Sequence, residues 1–440
     1  MLCACRPQGL SRASLLAALL SVAACAGPAR LPVEAGIGPN PRLPPPEHAL
    51  IPSIAVGKAE GWPAGLTPVP APGLRVAAFA RGLNHPRWLY VLHNGDVLVA
   101  ETNGPGTDPG PPGIKGYFFK KFKKKNGSAV DSADRITLLR DTNRDGVVDT
   151  RTILVQNLRS PFGMALVGNE LFVANADSLV AFPFTVGQTQ ITAAPRTVAS
   201  LPAGYNHHWT KSLVLSPDGR SLYVGVGSNS NVGENGMAME QGRAAIWRFN
   251  PQTGAGHVFA SGLRNPIGLD FNPSNGALWT VVNERDEIGS DLVPDYMTSV
   301  RPGAFYGWPY SYYGQHVDVR VKPPRPDLVA RAIKPDFALG PHVAALGLTF
   351  SDGARLGPIY ADGAFVGEHG SWNREPPSGC KVVFVPFAGA QPSGMPIDVL
   401  TGFLLDGKYY GRPVGVVIGG DGSLLVADDV GNTVWRVTAQ

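Results

Sequence analysis

From residue 74 onward the chain repeats one short pattern: an apolar strand, a tight turn containing Gly, Asp or Asn, and a second apolar strand. His85-Pro86-Arg87-Trp88-Leu89 is followed by NGDVLVAET, and Ser160-Pro161-Phe162-Gly163-Met164 by GNELFVANAD. Asn265-Pro266-Ile267-Gly268-Leu269 leads to NGALWTVVNE, and Arg412-Pro413-Val414-Gly415-Val416 to DGSLLVADD. Two copies without the proline, Lys211-Ser212-Leu213-Val214-Leu215 before DGRSLYVGVGS and Leu346-Gly347-Leu348 before ADGAFVGEHGS, bring the set to six. Gly and Asn supply the positive φ that such turns need. Outer strands are expected at 136–140, 180–184, 245–250 and 381–386. Six such units predict an all-β fold, a six-bladed β-propeller of four-stranded antiparallel blades. A double β-sandwich is the alternative, but sandwiches lack a repeated strand-opening motif. The strand 74–80 is expected to close the ring beside 434–438. Closure would gather polar residues from distant repeats at one mouth of a central channel.

Composition narrows the partners. The chain has 440 residues, only 16% of them charged, and a net charge of +4, two units of which (Arg6 and Arg12) lie in the leader. That balance excludes nucleic acid as the main partner. Residues 1–25 read as a secretory signal: the apolar stretch 13–24 is too short to span a bilayer. It ends Val22-Ala23-Ala24-Cys25, which resembles a bacterial lipobox with Cys25 as the lipidated residue; ordinary cleavage, with Cys25 incidental, is the alternative. The expected product is an exported, periplasm-facing, membrane-anchored lipoprotein. Cys380 is the only cysteine of the body, so no intramolecular disulfide and no cysteine zinc site is available there. Residues 26–73 hold twelve prolines and read as a semi-extended tether ahead of a catalytic domain over 74–440.

Several stretches carry chemistry. His208, in Asn206-His207-His208-Trp209-Thr210-Lys211, precedes an inner strand and suits a general base near neutral pH; a structural histidine is the bland reading. Arg264 and Asn265 stand at the equivalent place of the next unit, where a guanidinium can clamp a carboxylate or polarise a carbonyl, or simply pair with a neighbouring blade. Glu284, Arg285, Asp286 and Asp291 belong to an acidic loop of a kind that holds Ca²⁺ through oxygen ligands, or that is merely solvated. Asp141, Asn143, Asp145 and Asp149 match the first part of an EF-hand-type loop, but position 12 is Thr152 and no helices are expected beside it, which favours a plain hairpin turn. Residues 115–125 pack Lys120, Lys121, Lys123, Lys124 and Lys125 among aromatics, a mobile solvated loop or a contact for anionic lipid. His369, Arg374 and Arg412, with Lys211 and Arg264, form an expected cationic ring, which suggests an anionic ligand.

Taken together, NHPRWLYVL, NHHWTKSLVLSPDG, GLRNPIGL, NERDEIGSDLVPDY, FYGWPYSYYG, HGSWNR and GRPVGV resemble the pyrroloquinoline quinone (PQQ)-dependent sugar dehydrogenases, in particular their sorbosone dehydrogenase-like branch, over most of 75–438. The resemblance implies a six-bladed propeller that binds PQQ and Ca²⁺ and oxidises an aldose or sugar aldehyde, passing electrons to a quinone, a cytochrome or a dye. It places the base on His208, with hydride passing to the quinone C5 carbon. It places quinone contacts on Arg264 and Asn265, PQQ carboxylate partners on Lys211, Arg374 and Arg412, and calcium at the loop 284–291, partly through backbone carbonyls. Arg285-Asp286 departs from the Gly-Pro segment of the soluble glucose dehydrogenases, so glucose is not the implied substrate. A metal-dependent sugar lactonase and a non-catalytic, envelope-binding propeller are the competing readings. No G-x-G-x-x-G opens a βαβ unit, which argues against a nicotinamide cofactor.

Overall fold

A computed structural model of the chain describes residues 26–106, 113–204 and 207–440; the leader, Cys25 and Asn206 lie outside these residues. The described chain is nearly all β, with one helix longer than a turn, Gly113–Lys125. Among the described residues six sheets hold four or more strands. The first sheet is Pro86–Val91, Val97–Glu101, Arg135–Arg140 and Thr150–Val155; the second is Met164–Val167, Glu170–Ala174, Ser178–Pro183 and Arg196–Ser200. The third is Leu213–Leu215, Leu222–Val226, Ala245–Phe249 and Gly256–Ser261; the fourth contains Pro266–Phe271, Leu278–Val282, Pro294–Ser299 and Phe337–Pro341. The fifth contains Ala345–Phe350, Gly363–Glu368, Lys381–Ala388 and Ile397–Thr401. In the sixth, Pro413–Ile418, Leu424–Asp428 and Thr433–Ala439 are completed by Leu74–Arg81 from the other end of the chain, antiparallel, with Ala439 opposite Leu74. The acidic turn 141–149 joins two strands of the first sheet.

The repeated Pro-x-Gly has a packing reason. The first strand of each sheet lies against the first strand of the next, and the series returns from the sixth sheet to the first. A Cβ on Gly268 would come 2.6 Å from the Leu348 Cβ, and one on Gly347 would collide with the Val414 carbonyl. Only glycine allows two backbones to approach so closely. The second strands Val97–Glu101, Leu222–Val226, Leu278–Val282, Gly363–Glu368 and Leu424–Asp428 are buried along their whole length. Sheets cover both their faces, so their sequences run continuously apolar instead of alternating.

The proline-rich segment departs from expectation. Residues 26–73 do not form a free tether but dock across the sheets. Ile37–Gly38 adds an edge to the fourth sheet, Lys58–Ala59 pairs with Lys408–Tyr409, and Val69–Pro70 pairs with Ile397–Thr401 of the fifth sheet. Trp62 Nε1 donates to Asp428 Oδ2 at 2.6 Å, and its ring lies edge-on to Phe403 and Trp435. Proline lacks an N–H but keeps its carbonyl, so a proline-rich strand brings few donors to satisfy and offers acceptors to the loops beneath it.

Candidate functional site

The antiparallel registers put the start of every first strand beside the end of every second strand: Pro86 with Glu101, Pro266 with Val282, Ala345 with Glu368, Pro413 with Asp428. The polar residues flanking these positions therefore share one end of the sheets.

His208 is the centre of the first group. Its Nδ1 lies 2.9 Å from the Ser228 carbonyl, which can only accept, so Nδ1 carries the proton and Nε2 holds the lone pair. The Ser228 hydroxyl, 3.0 Å from the same nitrogen, itself donates to the Ser230 carbonyl. Burial, then the nearby Arg264 and His207 charges, pull the imidazole well below its ordinary range, so it is neutral at pH 7. Gly227 fits between His208 and Asn265: a Cβ there would come 2.5 Å from the His208 Cβ and collide with Asn265 Oδ1. That Asn265 oxygen is buried without a hydrogen-bond partner.

Arg264, buried, is a clamp between two loops. It donates to the carbonyls of Asn231 at 3.2 Å, Asn283 at 3.3 Å and Glu284 at 2.6 Å, to Asn231 Oδ1 at 3.0 Å, and to Asp286 Oδ2 at 3.0 Å. Burial opposes ionisation of Asp286, but Arg264 and then His342 hold its carboxyl below the usual range. Lys211 lies fully buried with Nζ donating to the Trp209 carbonyl at 3.1 Å, and burial pulls its ammonium well down.

A second group surrounds Asp429. Arg87 Nη1 donates to Asp429 Oδ2 at 2.7 Å, and His369 Nε2 sits 2.9 Å from the same oxygen. His85 Nδ1 lies 3.1 Å from the Asp429 carbonyl. Burial brings His85 down to about 4 and His369 to about 3. Arg412 donates from Nε to the His369 carbonyl and from Nη2 to the Gly370 carbonyl. The Arg87 guanidinium lies 5.8 Å from the ring of Trp209, which connects this group to His208.

Two expectations need correction. The side chains of Glu284, Arg285, Asp286 and Asp291 do not converge on one point. Glu284 pairs with Arg285 at 3.0 Å, and the fully buried Arg285 also pairs with Asp318, so it faces the protein core. Asp286 pairs with Arg264, while Asp291 accepts from the backbone N–H of Arg30 and Leu31. Among the described residues no three His, Cys, Asp or Glu side chains are placed to hold a metal ion. Asp141, Asn143, Asp145 and Asp149 form the plain turn that their sequence favours and cap it themselves: Asp141 accepts from the N–H of Asp145 and Gly146, and Asp149 from those of Thr142 and Asn143. Arg374 leaves the expected ring and turns outward to the docked segment, donating to the carbonyls of Pro376 and Leu31. In the acidic loop 284–291 and at Arg374, charged side chains found distant intramolecular partners that spacing along the chain does not show.

Sequence reasoning passed over Gly227, Ser228, Asn231 and Asp429. A signal for them existed: every unit places a polar residue just past its second strand, as in AET, ANAD, GVGS, VNE, GEH and ADD. Glu368, in the same position, is buried with Oε2 unpartnered, and burial pushes it up to about 8. The folded state thus holds a proton that the unfolded chain releases above about 4.5. Stability is full below that pH and falls as pH rises toward 8. Scanning calorimetry of Glu368→Gln is expected to show a smaller fall in Tm between pH 5 and pH 8 than the parent shows; equal slopes would remove Glu368 as the source.

The TrAA12-like family model matches residues 129–302 and 329–440. A protein of Borreliella burgdorferi described as uncharacterized is 26% identical over 296 residues, covering 64% of this chain and 77% of its own. The pyrroloquinoline quinone-dependent pyranose dehydrogenase of Coprinopsis cinerea is 25% identical over 362 residues, covering 72% of this chain; the chain spans 44% of that enzyme's length. The holo PQQ domain of the Coprinopsis cinerea pyranose dehydrogenase shares the fold with a TM-score of 0.67 at 23% identity, covering 87% of this chain and 100% of that domain. A Trichoderma reesei family AA12 structure does so with a TM-score of 0.69 at 20% identity, covering 88% of this chain and 100% of the other. Matched over more than half its length, the chain belongs to the TrAA12-like family, and so to the PQQ sugar dehydrogenase family that its motifs resemble.

Proposed function

We propose that this chain is a PQQ-dependent oxidoreductase of an aldose or a sorbosone-like sugar aldehyde, built as a six-bladed propeller of four-stranded blades. The observation that carries the reading is His208: a neutral imidazole whose Nδ1–H is fixed on the Ser228 carbonyl and whose Nε2 is left to accept a proton. Beside it lies the unpartnered Asn265 oxygen, in a cradle that a Cβ on Gly227 would fill. These residues fit a flat polar cofactor at the channel end; Arg87 and Arg412 supply positive charge for its carboxylates, and Lys211 offers a buried donor beside them. PQQ, when bound, supplies the electrophilic carbon that takes the hydride. His208 Nε2 takes the hydroxyl proton, Asn265 orients, and Arg264 contributes a fixed positive charge while holding the loops 231 and 283–286. Calcium accompanies the cofactor in this reading and would be held at the loop 284–291 by main-chain carbonyls, the part of the expected ligand set that the side-chain pairings leave open. Electrons pass on to a quinone or a cytochrome, and the chain is exported and lipid-anchored through Cys25.

The test is a titration of the purified chain with PQQ in the presence of Ca²⁺, following quinone absorbance, then dye reduction with aldoses and sugar aldehydes. Stoichiometric binding and sugar-dependent reduction are expected. Absence of PQQ binding would transfer the case to a lactonase or a non-catalytic propeller. A second expectation comes from Gly227→Ala: the added methyl displaces His208 or Asn265, and a shift of about 1 Å costs roughly 100-fold in kcat. Parent-like kcat would show that the cradle is not part of the site.

A further inference from the structure

Two exposed features lie on the same end of the molecule as His208, and neither takes part in the site. The first is the helix Gly113–Lys125, in the connection that leaves Glu101 and returns at Arg135. Among its described side chains, Tyr117, Lys120, Lys121, Lys124 and Lys125 are exposed, Tyr117 at 67%. Their spacing, i, i+3, i+4, i+7 and i+8, is one stripe of a helix. Described acidic side chains do not neutralise the exposed lysines of that stripe in any ion pair of the structure. Just beyond the helix, a Cβ on Gly127 would come 2.9 Å from Ala59 of the docked segment, so the turn that ends the helix packs against that segment.

The second feature is the tip Leu50–Ile51 of that segment. Leu50 is 88% exposed and Ile51 52%. The tip is held rigidly: Ser53 bonds Ser290, Asn373 donates to the Ser53 carbonyl, and the Ala55 N–H donates to the Trp372 carbonyl. Ala26 N–H donates to the Ile51 carbonyl at 2.9 Å, so the chain arriving from residue 25 joins the body at this same tip. Basic residues in a helical stripe with an aromatic among them, next to exposed aliphatic residues, fit the headgroup region of an anionic bilayer.

We propose that this end of the protein docks on an anionic lipid surface, through the Lys120, Lys121, Lys124 and Lys125 stripe and the Leu50–Ile51 tip. The orientation does not depend on the catalytic reading. It turns the His208 end toward the membrane.

The full chain is incubated with vesicles of phosphatidylcholine alone and of phosphatidylcholine mixed with phosphatidylglycerol, and bound protein is measured by co-sedimentation at low and high salt. Any lipid on Cys25 contributes equally to both vesicle types, so the readout is the difference between them. Binding to the anionic vesicles is expected to be roughly tenfold tighter or more, and to lose that advantage at high salt. Changing the four lysines to Gln removes the advantage, while Leu50→Ser with Ile51→Ser weakens binding to both vesicle types; thermal melting of each variant reports folding. Equal binding of the parent chain to both vesicles, or a lysine variant that keeps the advantage, overturns the proposal. Retention of the parent on a polyglutamate resin without preference for anionic vesicles assigns the stripe to an acidic protein and overturns it as well.

Discussion

Alanine at position 208 lowers kcat by about 10²–10⁴-fold, the usual contribution of a positioned general base, and leaves PQQ titration close to that of the parent. The reasoning rests on the fixed tautomer. The Ser228 carbonyl accepts from Nδ1, so only Nε2 faces a substrate as a base. Because burial and Arg264 keep the ring neutral well below its ordinary range, the parent should hold its activity through neutral pH and lose it only on the acid side. Exogenous imidazole is expected to restore part of the lost turnover in the alanine variant, which a purely structural histidine would not allow. Turnover of the alanine variant near that of the parent removes His208 from the mechanism.

Why this site was partly legible in the sequence follows from how the residues are held. His208, Arg264 and Asn265 precede first strands, and each repeat announces those strands by its own pattern, so their convergence could be expected without knowing any contact. The chain-end pairing of Leu74–Arg81 with Thr433–Ala439 was legible for the same reason, since an incomplete last sheet needs a fourth strand. What the repeats do not encode is which charge meets which. Asp286 lies 22 residues from Arg264 and Asp429 lies 342 from Arg87. The first contact is spaced by a whole hairpin, the second by five sheets. The HGSWNR motif follows a second strand and so points Arg374 to the channel, but Arg374 lies six residues past Glu368, where Leu31 of the docked segment and Asp291 of the neighbouring loop meet it. That segment itself was hidden by its prolines. Their stiffness reads as a spacer, whereas the donors that capture it, Asn373 and Arg374, sit more than 300 residues away.

Arg264→Ala separates two roles that coincide in the parent. If the guanidinium served the cofactor alone, the PQQ-free protein would melt as before. The structure gives it six acceptor atoms in two loops, one of them the carboxylate of Asp286. Removing one member of a buried ion pair costs up to about 3–5 kcal/mol, and Asp286 would be left with His342 as its remaining partner. The PQQ-free Tm is therefore expected to fall by roughly 5–10 °C, and PQQ binding to weaken with it. Lysine at 264 restores a charge but not the fork, so it recovers little of the loop contacts. Combining Arg264→Ala with Asp286→Asn tests the cause: the double variant no longer strands a carboxylate, so its Tm recovers toward the parent, and the departure from additivity measures the pair. PQQ binding is not expected to recover, because the positive charge beside His208 is still missing. An unchanged Tm in the single variant would return Arg264 to the cofactor alone, and a full recovery of PQQ binding in the double variant would mean that Arg264 acts on the site only by keeping Asp286 in its place.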